Sequence, residues 1–386
     1  MTQTRYPKLF YFFIFVALAG ILPYLTLYYE ELGLSGRQIG ILVGLPPLVG
    51  LFSAPLFGAI ADATGRHKQL LVLIVAGMAA SVLAWSLVTS FAGLAVVVFV
   101  YALFFAPTVP LVDKTVLDLL SNDSGKYGRV RLWGSVGWGL GAPLAGFIIG
   151  KTNLHIGFYL CFVFLLALVW VSVQMPVAPV SLAGNYWREL RVLVGSMRWV
   201  VFMLVVFVAG AALSVIHNYL FLYLNQLGAS ETWMGLSLTL ATVSEFAAFY
   251  FSAQMLARWG TRGLLTAALL FLAVRLLGYA ATSSAAVVIA LQLLHGPTFG
   301  ALWVGGVTHA DRLAPVGMGA TAQGIFTGVT MGLGAAFGAF VGGLLYQNLG
   351  LVAMYQWAGL SVLAALILFI VAGRLAAHRR LKTATT

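Results

Sequence analysis

Gly58-Ala-Ile-Ala-Asp62-Ala-Thr-Gly65-Arg66-His67-Lys68-Gln-Leu-Leu71 is a charged island between two long apolar runs. Such a stretch reads as a tight turn at a membrane surface. Gly58 allows a close helix contact, and Gly65 allows a backbone with positive φ. Asp62 can cap or anchor the turn. Arg66 and Lys68 hold it on the cytoplasmic side, where loops gather cations. An ordinary positive-inside turn is the simpler reading of the same residues.

Composition supports a membrane setting for that island. Hydrophobic residues make up 61% of 386 and charged residues only 8%. A water-soluble domain of that composition would have too little polar surface to face solvent. The first apolar run, Leu9 to Leu27, ends in Tyr28-Tyr29-Glu30-Glu31 without a small-residue cleavage site, so it reads as a retained helix and not a leader. The lone Cys161 offers neither a disulfide framework nor a thiolate metal site. The histidines lack zinc spacing, and no phosphate loop, dinucleotide fingerprint or nucleophile elbow occurs. No cofactor and no enzyme chemistry is expected.

About 20 apolar residues span a bilayer as a helix. Twelve such segments are predicted, at about 8–29, 37–61, 69–89, 92–115, 131–150, 156–176, 200–224, 232–257, 264–282, 285–308, 321–346 and 352–374. The 177–199 linker contains Asn185-Tyr-Trp-Arg188-Glu189-Leu-Arg191 and reads as a short helix on the membrane surface. With the N-terminus in the cytoplasm, seventeen of the 21 Lys and Arg fall inside, two fall outside and two fall within helices. That asymmetry puts both termini inside and explains the net charge of +11 without nucleic acid; anionic lipid is the expected contact.

The chain also repeats itself. Shifting Gly20–Leu71 by 195 residues superposes Tyr24 on Tyr219, Tyr28 on Tyr223, Gly33 on Gly228 and Gly65 on Gly260. Farther along, Pro107-Thr108 resembles Pro297-Thr298, and Gly139-Leu-Gly141 resembles Gly332-Leu-Gly334. The expected domains are a six-helix bundle over 1–176, the 177–199 linker, a second bundle over 200–376 and a cytoplasmic tail over 377–386. The Gly58–Leu71 turn resembles the loop between helices 2 and 3 of the major facilitator superfamily. That resemblance implies an all-α fold of two pseudo-symmetric bundles working by alternating access, with Asp62, Gly65 and Arg66 at a cytoplasmic gate.

Ionisable groups inside hydrocarbon cost about 2.5–3.5 kcal/mol each on insertion scales, so they mark function. Glu245 falls at the centre of the 232–257 segment, Arg275 near the centre of 264–282 and His295 close to the centre of 285–308. At one depth these three suggest a protonation switch in which Arg275 holds Glu245 ionised. The bland alternative is a buried pair that fixes packing. In the first half, Asp113 and Arg131 can pair to close the inner side, or form a plain interhelix salt bridge.

The Glu–Arg–His set resembles the proton-coupling groups of the lactose permease and its relatives. Tyr127-Gly-Arg129-Val-Arg131-Leu-Trp133-Gly-Ser135 and Leu294-His295-Gly-Pro-Thr298-Phe299-Gly300 are more similar to the phenylpropionate permease-like and nucleoside–proton symporter branch. Thr298 stands where the lactose permease carries an acid, which places more of the proton role on Glu245.

Tyr24, Tyr28, Tyr219 and Tyr223 are related by the repeat and spaced one helical turn apart. They read either as cavity lining or as an outer aromatic belt. Trp138, His217, Asn218, Trp303 and Gln323 are further cavity candidates. The expected function is secondary transport of a small polar or amphipathic solute (an aromatic acid, nucleoside or sugar) with protons, by a monomer in the cytoplasmic membrane. The alternative is a proton-coupled exporter of drugs or metabolites, suggested by Gly137-Trp-Gly-Leu-Gly141-Ala-Pro143-Leu-Ala-Gly146, which resembles an antiporter motif.

Overall fold

Glycine and proline decide where the helices of this protein stop and bend. The computed structural model describes residues 4–120, 124–176, 196–315 and 318–384, and every regular element among them is helical. Most of the 177–199 linker, with its expected surface helix, and the last two residues of the tail lie outside the described residues.

Ten helical stretches are long and apolar enough to cross a membrane among the described residues. The last of them, Thr321–Leu375, turns at Gly350, whose φ is 81°. The Glu231–Tyr250 helix is 20 residues long and is not among the ten. Its Ser, Thr and Glu content lowers its hydropathy.

Two compact units group the chain: 1–183 with 218–242, and 184–217 with 243–386. In the first, the opening span is not one continuous helix. Arg5–Ala19 gives way to a 3₁₀ turn at Leu22–Tyr24 before Leu25–Glu31. Pro23 lies in that turn and withholds the backbone donor a regular helix would use. Ser35 then starts Gly36–Thr64 with a capping box: its hydroxyl accepts from Gln38 N–H at 3.3 Å, and the Gln38 side chain accepts from Ser35 N–H at 2.9 Å. Gly65 ends that helix at φ 64°, as the sequence requires of the charged turn.

The second half of the sequence repeats these devices. Gly260 also has φ 64°, 195 residues after Gly65, and the pair Gly33 and Gly228 lies at 75° and 79°. The repeat extends to packing. A Cβ on Gly137 would strike the carbonyl of Phe12, and one on Gly334 would strike that of Phe207. Gly141 packs on Val16, and Gly338 packs on Ala211. The structural equivalents are therefore Gly137 and Gly141 with Gly334 and Gly338. This corrects the equation of Gly139-Leu-Gly141 with Gly332-Leu-Gly334 by one helical turn, because low-diversity glycine runs align equally well in several registers.

Two stretches leave the regular helical path in the second unit. The segment predicted as one helix at 285–308 runs as Ala285–Ala290, a 3₁₀ stretch Leu291–Leu294, a π-helical stretch Gly296–Gly300 and then Ala301–Leu313. Gly328–Gly334 is π-helical as well. Pro297 accounts for the first, since its ring and missing N–H are incompatible with regular bonding to Leu293.

Candidate functional site

Among the described residues of the second unit, Arg275 is the most deeply buried cation, 1% exposed on the Ser252–Ala280 helix. A buried guanidinium needs partners for its donors. Nε donates to the Tyr279 hydroxyl at 2.7 Å and Nη2 to Gln292 Oε1 at 2.5 Å. Nη1 faces His295 Nδ1 at 3.2 Å and donates to Thr298 Oγ1 at 3.3 Å. Gln292 closes the ring by donating from Nε2 to the Tyr279 hydroxyl at 2.9 Å.

His295 connects this ring to the carboxylate. Its Nε2 lies 3.6 Å from Glu245 Oε2, at ion-pair distance. A guanidinium has only donors, so Nδ1 must present its lone pair to Arg275. In the neutral ring the proton is then on Nε2 and faces Glu245. The structure thus brings Glu245, His295 and Arg275 together, with the imidazole touching both charged partners. His295 lies between the two charged groups, and the guanidinium spends four of its donors on Tyr279, Gln292, His295 and Thr298.

An aromatic stripe continues from the imidazole. His295 stacks on Phe299 with ring centroids 5.4 Å apart, and Phe299 stacks on Trp303 at 6.0 Å. Trp303 also meets Phe326 at 5.7 Å. His217, which is exposed, lies edge-on to His295 at 5.9 Å. Of the cavity candidates, His217 therefore meets the His295 ring, and Trp303 joins it through Phe299. Gln323 and Trp138 are half-buried, the latter edge-on to Phe15 at 6.5 Å.

The four tyrosines are placed differently. Tyr24, Tyr28, Tyr219 and Tyr223 are all buried. Tyr24 donates to the backbone carbonyl of Glu231 at 3.2 Å and packs on Phe221, while Tyr28 packs on Phe158 at 4.8 Å. Side chains so enclosed face neither a cavity nor lipid, which corrects both readings of this group. The backbone carbonyl of Asn218 accepts from Thr26 Oγ1 at 2.7 Å.

The charged turn and the inner pair lie within the first unit. Asp62 Oδ1 is 3.1 Å from His67 Nε2, so the aspartate anchors the start of the next helix. Arg66 is exposed, and its N–H bonds Thr64 Oγ1 at 3.3 Å. Asp113 accepts a 2.5 Å hydrogen bond from the Tyr11 hydroxyl, while Arg131 Nε reaches it only at 4.0 Å. The Arg131 guanidinium lies over the rings of Tyr11 and Phe15, at 5.2 and 4.6 Å. The expected pair is thus a cluster organised by Tyr11.

Gln292, Tyr279 and Ser244 escaped the sequence reading, and Phe299 entered it only as part of the Leu294–Gly300 stretch. A signal existed: Gln292 precedes His295 by three residues, and Tyr279 and Phe299 follow Arg275 and His295 by four, all spacings that share a helix face.

Residues 5–357 match the MFS_1 like family. The chain belongs to that family. Proteins similar to it include solute permeases. The maltose permease of Geobacillus stearothermophilus is 29% identical over 375 residues, covering 96% of this chain and 95% of that protein. A probable 3-phenylpropionic acid transporter of Escherichia coli is 27% identical, covering 91% and 93%. The nucleoside transporter NupG shares the fold at a TM-score of 0.86 with 17% identity, over 96% of this chain and 99% of that one. This MFS_1 like protein is a multi-pass membrane transporter and not an enzyme.

Proposed function

We propose that this protein carries a small polar or amphipathic solute across the cytoplasmic membrane together with protons, by alternating access. The single observation behind the coupling is the contact of His295 with both Glu245 and Arg275. The neutral imidazole turns Nε2–H toward Glu245 Oε2, so the carboxyl is the group that takes up and releases the proton, and the N–H stabilises its ionised form. Each proton entering under 100 mV contributes about 2.3 kcal/mol to solute accumulation.

Among aromatic acids, nucleosides and sugars, the stacked rings of His295, Phe299 and Trp303 suit a flat or ring-bearing solute. Arg275 is fully enclosed by its own partners and is not the group that reads a substrate carboxylate. The chain acts as a monomer with both termini inside and cations against anionic lipid. Its bundles are 1–176 and 200–376, with twelve crossings when Thr321–Leu375 counts twice at Gly350 and Glu231–Tyr250 is added. The Asp62–His67 turn and the Asp113 cluster serve as its cytoplasmic gate.

The glycine-rich stretch that hinted at export has a packing reason independent of direction. Gly137 and Gly141 pack on the first helix, and a Cβ at Gly146 would strike the Glu231 carbonyl. The test is proton movement in liposomes supplied with uridine, maltose and 3-phenylpropionate. Solute-dependent entry of protons that Glu245→Gln abolishes supports symport; proton movement opposite to solute supports export.

A further inference from the structure

Pro297 removes a backbone donor from the middle of a membrane helix. Residue 297 would otherwise donate to the carbonyl of Leu293, four residues back, and the proline ring also crowds that carbonyl. A buried carbonyl without a donor is costly. The irregular run from Leu291 to Gly300 follows from this defect, and His295 sits inside it.

Ser244, on the Glu231–Tyr250 helix, repairs the defect from outside. Its hydroxyl donates to the Leu293 carbonyl and accepts from the Gly296 N–H at 3.0 Å. These two backbone groups bracket His295. Contact here is backbone to backbone, since a Cβ at Gly296 would run into the Ser244 carbonyl. The next residue, Glu245, meets the His295 side chain at 3.6 Å. One dipeptide therefore grips the irregular segment twice: Ser244 by its main chain and Glu245 by its imidazole.

We propose that Ser244 is a positioning residue for the proton-coupling site, an inference that rests on the coupling role given above to Glu245 and His295. Its hydroxyl holds the Leu291–Gly300 segment in the register that turns His295 Nε2 to Glu245 and Nδ1 to Arg275. The other ionisable group facing the ring, His217, is left in place by this clamp. Ser244→Ala removes donor and acceptor together. Adding Pro297→Ala returns an N–H that can bond Leu293, so the double variant should regain what the single one loses.

The experiment follows the His295 ring by ¹⁵N-histidine NMR of the full-length protein in bilayers, with His295→Asn identifying its signals. Uphill uptake of uridine, maltose or 3-phenylpropionate is measured across pH in parallel. The wild type should show one tautomer protonated at Nε2. Ser244→Ala should mix tautomers and lower uphill uptake about tenfold, with Ser244→Ala/Pro297→Ala returning to within about threefold of wild type. A single tautomer and unchanged uptake in Ser244→Ala would overturn the proposal, as would a loss that Pro297→Ala does not repair. Glu245→Gln separates the two claims: if it retains uphill uptake, the coupling role falls, while the tautomer result still decides the role of Ser244.

Discussion

Gln292 Oε1 accepts a hydrogen bond from Arg275 Nη2 at 2.5 Å while Gln292 Nε2 donates to the Tyr279 hydroxyl. One neutral amide thus serves a buried cation and the phenol that shares it. Replacing Gln292 by Met keeps the shape and deletes both bonds. Because a buried donor left unpaired costs about 1–3 kcal/mol, Gln292→Met should lower the melting temperature. Cys161, a free and fully buried thiol, reports that melting: a thiol-reactive dye labels it only on unfolding. An unchanged melting curve would mean that Arg275 does not depend on the amide.

Glycines at backbone contacts should be intolerant where open glycines are not. A Cβ at Gly146 meets the Glu231 carbonyl, whereas one at Gly324 meets nothing within 4 Å. Gly146→Ala should destabilise by about 1–3 kcal/mol through forced overpacking, and Gly324→Ala should change little. The same Cys161 labelling compares them, and equal behaviour of the two variants would refute the close contact.

How much of this was legible follows from the kind of signal each feature leaves. Positive φ at Gly65 and Gly260 was readable, because glycine at a turn between apolar runs has a local cause. Glu245, Arg275 and His295 stood out because charge in hydrocarbon is expensive. Gln292, Tyr279 and Ser244 did not, since uncharged polar groups cost too little to mark themselves within an apolar helix. The break at Pro297 was visible as a residue, yet its consequence depends on Ser244, which is 53 positions away in sequence. The buried state of Tyr24 and Tyr219 is set by neighbours that no helical periodicity names.

The aromatic stripe makes a separate prediction. Phe299 lies between the rings of His295 and Trp303. If solute stacks there, Phe299→Ala should raise the KM for the transported solute about three- to tenfold, the equivalent of roughly 0.5–1.5 kcal/mol, with a smaller effect on the maximal rate. Initial-rate uptake over a concentration series measures both. An unaltered KM would move the solute away from this stripe.

Proton movement tests the coupling role of Glu245 most directly. The protein is reconstituted in liposomes carrying an internal pH dye, with potential clamped at zero, and uridine, maltose and 3-phenylpropionate are added outside in turn. Internal acidification with one of these solutes, lost in Glu245→Gln, is the predicted result. Solute uptake without any pH change, or acidification that Glu245→Gln leaves intact, would contradict it.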